Sequence, residues 1–195
     1  MIDLTRKSLP NTVRVGGRDY SIYTDFRLWM RFESSLVGCH GKDLIPVAYL
    51  FKNEKPAYCD VSELLVFSRP KNELPRKVRG TSDAVLIDFR IDSDLIYAAF
   101  MQQYGIDLVD IPELHWHKFL ALLNGLKGTK LDDVMGYRCY ARQTDKNIDP
   151  YEEMREAWAI EEPLTEEELE ELDAFNRALG GEQAGLTDPS YLTQN

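Results

Sequence analysis

Two short stretches of the 195-residue chain set side chains next to each other that are able to do chemistry. In His115-Trp116-His117 two imidazoles stand two residues apart, and imidazole is a common ligand of zinc. A tetrahedral site needs three or four ligands around one point. On a helix, residues two apart point roughly 200° from each other, and no third or fourth ligand is spaced nearby. The stretch reads instead as a core tryptophan flanked at the boundary by its two histidines. In Cys39-His40, set between Gly38 and Gly41, a thiol adjoins an imidazole of the kind that activates nucleophilic cysteines. Neighbours in sequence seldom face one another in an active site, and Asp43 is the only local acid to orient the ring. This pair reads as a small loop with a buried cysteine.

Other catalytic signatures are missing from the sequence. Gly125-Leu126-Lys127-Gly128-Thr129 has some ingredients of a phosphate loop at the wrong spacing and reads as a helix-to-helix connection. Neither a G-x-S-x-G elbow nor an H-E-x-x-H helix occurs. Carboxylates abound toward the C-terminal end, but acids in a solvated run lack the pocket that tunes them for proton transfer. The expectation is a protein without catalytic residues, metal ligands or cofactor, working by binding or assembly.

Charge is unevenly placed. The chain has 33 acidic and 23 basic residues, a formal charge of −10. From Asp145 onward there are 15 acids and three bases (Lys146, Arg155, Arg177), so the segment carries −12 and the preceding 144 residues +2. An acidic segment of this kind repels phosphate and argues against the whole chain binding nucleic acid. One basic stretch runs the other way: Arg69, Lys71, Arg76, Lys77 and Arg79 gather around a single acid, Glu73. It reads as solvated surface or as a patch for an acidic partner, and without interleaved aromatics it offers no base-stacking platform. Apolar runs are too short to cross a bilayer. Residues 1–10 lack the apolar block of a secretory signal, and the three cysteines, odd in number and widely spaced, suit a reducing cytoplasm.

The elements that must position these residues are mostly helical. Thr12 to Val15 and Tyr20 to Tyr23 flank Gly16-Gly17-Arg18-Asp19 and predict a hairpin. Thr24 is placed to cap a helix with Phe26, Trp29, Met30 and Val37 on one stripe, ending near Gly38. Ile45 to Phe51 and Val61 to Phe67 read as short helices. A helix capped by Asp92 or Ser93 buries Ile96, Ala99, Phe100 and Tyr104 and stops at Gly105; the next opens at Asp110 and Pro112 and buries Trp116, Phe119, Leu120 and Leu123. Thr129 to Tyr140 is a further helix with Leu131, Val134, Met135 and Arg138 at helical spacing. Asp149-Pro150 starts another that runs to about Ile160, and Thr165 with Glu168 forms a capping box for one reaching Leu179. The expected fold is mainly α: a compact helical domain over residues 1–144 with a small N-terminal β-hairpin, and an acidic C-terminal helical extension with a mobile tail over residues 145–195. In that extension Leu169, Leu172, Phe175 and Leu179 form a narrow apolar stripe, able to bind a partner helix or to pack back on its own domain.

Several segments resemble one family. Tyr23-Thr24-Asp25-Phe26-Arg27, Ile96-Tyr97-Ala98-Ala99-Phe100, Tyr104-Gly105-Ile106-Asp107-Leu108, Leu114-His115-Trp116 with Phe119, Leu122, Leu123 and Leu126, and Met135-Gly136-Tyr137-Arg138 are similar to small proteins from the tail-gene cluster of long-tailed phages and prophages of Gram-positive bacteria. The likeness runs through most of residues 12–140. It implies a tail assembly chaperone-like role in the host bacterial cytoplasm: holding the tape-measure protein soluble while tail-tube subunits polymerise around it. The tail-tube protein and, by self-association, a second copy of this chain are further candidate partners. The motif residues are mostly apolar and read as core, so the resemblance carries over no catalytic residue. Two other readings compete: a structural tail or head-completion component retained in the virion, and a nucleic-acid-binding regulator resting on Arg69 to Arg79 alone.

Overall fold

Gly16 and Gly17, with φ of +55° and +81°, form a two-residue turn of the kind that matches the twist of antiparallel strands. It joins β1 (Thr12–Val15) to β2 (Arg18–Ser21), with Val15 opposite Arg18. The turn is two residues tighter than the sequence implied, so Arg18 and Asp19 belong to the second strand. Val13 and Val15 point into the core while Thr12 and Arg14 face outward. Past β2, Tyr23 donates its N–H to Leu50 O (2.8 Å), and Ser21 O accepts from Lys52 N–H (3.0 Å). Ile22 bridges Phe51 in the same antiparallel sense. That extended pairing is why the expected helix over Ile45 to Phe51 shrinks to one 3-10 turn, Ala48–Leu50.

The computed structural model describes residues 2–37, 45–69, 86–140 and 150–160. Six α-helices lie among them: α1 (Phe26–Leu36), α2 (Val61–Ser68), α3 (Ser93–Tyr104), α4 (Trp116–Asn124), α5 (Lys130–Cys139) and α6 (Pro150–Ala157). With the hairpin they give the mainly α architecture expected from sequence. Asp25, not Thr24, caps α1, its carboxylate accepting the Arg27 N–H. The buried face of α1 is Phe26, Trp29, Phe32 and Glu33; Met30 is half-buried and Val37 lies beyond the helix end, 45% exposed. Asp60 and Glu63 open α2 with a reciprocal capping box. Gly105, at φ +63°, ends α3 in the left-handed cap read from sequence. Thr129 caps α5.

The start of α4 differs most. Residues 107–110 form a turn in which the Asp107 carboxylate accepts the N–H groups of Val109 (2.8 Å) and Asp110 (3.1 Å). An aspartate that bonds the backbone two and three residues on holds the chain in a turn. The helix therefore opens not at Asp110 and Pro112 but at Trp116, with His115 as its cap.

Phe119 is the hub of the core. Its ring stacks on Phe26 (5.0 Å between centroids), Phe100 (5.2 Å) and Trp116 (5.5 Å), so one side chain joins α1, α3 and α4. Trp29 meets Phe67 of α2 at 4.5 Å and Phe32 at 5.6 Å. Helix α5 packs on α3, and α6 packs on α5. Among the described residues no helix is long and apolar enough to cross a membrane.

Candidate functional site

The two histidines and the tryptophan singled out from sequence sit where three helix ends meet. Asp25 and His115 form an isolated antiparallel bridge, with Phe26 N–H donating to Leu114 O (2.9 Å) and Trp116 N–H to Thr24 O (2.7 Å). The two capping residues thus face each other, and α1 and α4 start side by side. His115 adopts φ −60° and ψ 135°, an extended rather than helical backbone. For that reason the expected 200° divergence does not hold, and the His115 and His117 rings lie 5.2 Å apart.

Each ring nitrogen has a structural task except one. His115 Nδ1 accepts the His117 N–H (3.1 Å), so Nε2 carries the proton and donates to Pro10 O (2.9 Å). His117 Nε2 donates to Phe67 O (2.9 Å), and Trp116 Nε1 donates to Ser68 O (2.8 Å). Phe67 and Ser68 close α2, where carbonyls lack intrahelical partners. The imidazole and the indole of α4 therefore cap α2. His117 Nδ1 and Ser68 Oγ are buried without a hydrogen-bond partner. His117 is only 4% exposed, a core residue rather than the boundary residue expected from sequence.

Burial holds the His117 imidazole neutral, lowering its pKa from 6.5 to about 4, although its bond to Phe67 O works the other way. His115 is shifted in the same direction, again mainly by desolvation. In the unfolded chain the His117 imidazole takes a proton near pH 6.5, so between pH 6.5 and 4 the unfolded state binds more protons and stability is lost as the pH is lowered. His117 is expected to contribute about 3 kcal/mol that is fully present above pH 6.5 and lost by pH 4. His117→Gln keeps a donor for Phe67 O without the titration. Urea unfolding at pH 7.5, 6, 5 and 4 should give a shallower pH dependence for that variant, and an unchanged slope would contradict the assignment.

A second polar cluster was not anticipated. Arg138 and Asp92, 3% and 2% exposed, form a two-pronged ion pair, Nη1 to Oδ2 at 2.7 Å and Nη2 to Oδ1 at 2.9 Å. Arg138 also donates to Leu86 O (2.9 Å) and, through Nε, to Trp158 O (2.7 Å). Asp92 Oδ2 accepts the Asp88 N–H (2.9 Å). The Asp92 carboxylate, read from sequence as a candidate cap for α3, makes no capping bond because Arg138 and Asp88 hold it. The signal for the pair was an arginine on the buried stripe of α5, which requires a buried acid. Arg27 works similarly nearer the surface: it pairs with Asp25 (3.1 Å) and donates to Leu108 O, Val109 O and Ile111 O.

Of the basic patch, Arg69 is described and its guanidinium binds Glu33 at 2.7 Å. Lys71, Arg76, Lys77 and Arg79 lie outside the described residues, as do the Cys39-His40 pair and the stripe Leu169, Leu172, Phe175 and Leu179. The Cys59 thiol is pushed up to about 11 by burial, with Glu63 and Asp60 adding to it, and stays protonated at neutral pH. Among the described residues no group of three or more histidine, cysteine or acidic side chains is placed to hold a metal ion. The segments carrying the family resemblance prove to be junctions as well as core: Asp25, Arg27, His115 and Arg138 all tie one element to another.

No curated protein and no solved structure matches the chain. The bacteriophage Gp15 protein family does, over residues 43–160. That span includes α2 to α6, with the buried Arg138–Asp92 pair and the histidines of α4. With more than half its length matched, the chain belongs to the bacteriophage Gp15 protein family.

Proposed function

We propose that this phage protein is a non-enzymatic tail assembly factor that binds the tape-measure protein and keeps it soluble while the tail tube forms. The observation that carries the reading is the phage family membership, joined to the sequence resemblance to tail-cluster proteins. The deployment of the motif residues supports it: Asp25, Arg27, His115 and Arg138 fasten helices to one another rather than converging on an open cleft. An elongated client with apolar helical stripes needs those stripes covered until the tube encloses it. Leu169, Leu172, Phe175 and Leu179, spaced along an acidic stretch, offer a complementary stripe, and the like charge around them keeps loaded copies apart.

The test is co-expression with the tape-measure protein encoded by the same phage. The full chain is expected to co-purify with it, and deletion of Leu164–Asn195 to abolish co-purification while leaving the melting transition of the body in place. Binding retained after that deletion would move the client site to the body. Failure of the full chain to bind would overturn the reading. Mass spectrometry of purified particles addresses the alternative: a chaperone is absent from the finished virion, whereas a structural tail or head-completion component is present in fixed proportion.

A further inference from the structure

The hairpin has one covered edge and one open edge. Asn11 O accepts the Ile22 N–H (3.0 Å), which sets the alternation of the ladder: Asn11, Val13 and Val15 exchange hydrogen bonds with the second strand, and Thr12 and Arg14 turn their main-chain groups away from it. On the far side of β2, Ser21 O is bonded to Lys52 N–H and the segment around Phe51 runs alongside. Helix α2 packs against β1, but among the described residues no strand pairs with its outer edge. Among the described residues no hydrogen bond engages the outward N–H and C=O groups of Thr12 and Arg14.

This open edge borders a groove of about 510 Å³ between β1 and α2. Thr12 and Arg14 form one wall, Glu63, Val66 and Phe67 the other, and His117 contributes to the lining. Val66 is 76% exposed, an apolar side chain standing in solvent at the rim. Glu63 is occupied, accepting the N–H of Gly16 (2.8 Å) and of Asp60 (3.4 Å), so the α2 wall is held against the hairpin. Arg14 donates Nε to Gly17 O (3.2 Å) and, among the described residues, has no acidic partner.

We infer that the edge of β1 and the adjoining groove form a docking site for an extended segment of a partner polypeptide, which joins the sheet beside β1 with an acidic residue opposite Arg14 and apolar side chains toward Val66 and Phe67. The alternating donors and acceptors of a strand edge are complementary to the main chain of another strand. Side chains on an added strand alternate between faces, so the residue opposite Arg14 shares its outward face and the next ones point to the α2 wall.

The test uses the full chain and a displayed library of random dodecapeptides, followed by synthesis of an enriched peptide. Such a peptide is expected to shift the backbone amide resonances of Thr12 and Arg14 and to follow the alternating acidic and apolar pattern. N-methylation of alternate peptide residues should abolish binding, and methylation of the intervening ones should not. Val66→Glu, at an exposed position, and Arg14→Pro, which removes an N–H that the ladder does not use, should each weaken binding at least tenfold with an unchanged far-ultraviolet circular dichroism spectrum. An enrichment that yields no binder, binding indifferent to both substitutions, or resonance shifts confined elsewhere would overturn the proposal. So would sedimentation showing that the protein alone dimerises and that Arg14→Pro abolishes the dimer, since the occupant would then be a second copy.

Discussion

Arg138→Met is expected to cost about 3 to 5 kcal/mol of folding free energy, read as a lowered urea midpoint at unchanged slope. The figure follows from what is left behind. Asp92, 2% exposed, would keep its carboxylate in the core with, among the described residues, only the Asp88 N–H as a donor, and the carbonyls of Leu86 and Trp158 would each lose a partner. A buried charge without its counter-ion is far more costly than the pair is favourable. The double variant Arg138→Met with Asp92→Leu should therefore be more stable than Arg138→Met alone, although it removes more native hydrogen bonds. A double variant less stable than the single one would show that the pair stabilises the fold by its own attraction rather than by mutual neutralisation.

Trp116→Ala is expected to cost a similar amount, about 3 to 5 kcal/mol. The indole is 1% exposed, stacks on Phe119 at 5.5 Å and meets the edge of Phe89 at 5.7 Å, so its removal opens a cavity beside the hub of the core. It also withdraws the donor from Ser68 O at the end of α2. Trp116→Phe separates the two contributions: it retains a ring in the stack and loses the hydrogen bond, with an expected cost of about 1 to 2 kcal/mol. Urea unfolding of both variants checks the order. An alanine variant within 1 kcal/mol of the parent would place the indole outside the cooperative core.

Local signals made much of this legible. The paired glycines give the hairpin, Gly105 the end of α3, Thr129 the start of α5, and the Ile96, Ala99, Phe100 spacing the buried face of α3, with Tyr104 of the same stripe half-buried. Pairings between distant segments were not legible. Thr24 and Asp25 are equally good caps by composition; Asp25 prevails because Thr24 O is engaged by the Trp116 N–H ninety-two positions along the chain. The same junction moves the start of α4 past Pro112 and turns His117 inward. Periodicity put Arg138 at helical spacing with Leu131, Val134 and Met135 but could name neither its burial nor Asp92, forty-six residues earlier, as its counter-ion. The polar residues with the most demanding tasks are thus the ones whose partners lie farthest away.

The family match begins at residue 43, after β1, β2 and α1 have been completed. Yet Val13, Val15, Ile22, Phe26, Trp29 and Phe32 come from that preceding stretch and are all buried, Trp29 and Phe32 being among the largest fully enclosed side chains. A fragment cut to the matched boundaries would therefore lack one side of its own interior, exposing the faces of Phe67 and Phe119 that Trp29 and Phe26 cover. The span matched by the family and the stretch that builds the core are different objects here, the second reaching back to Val13.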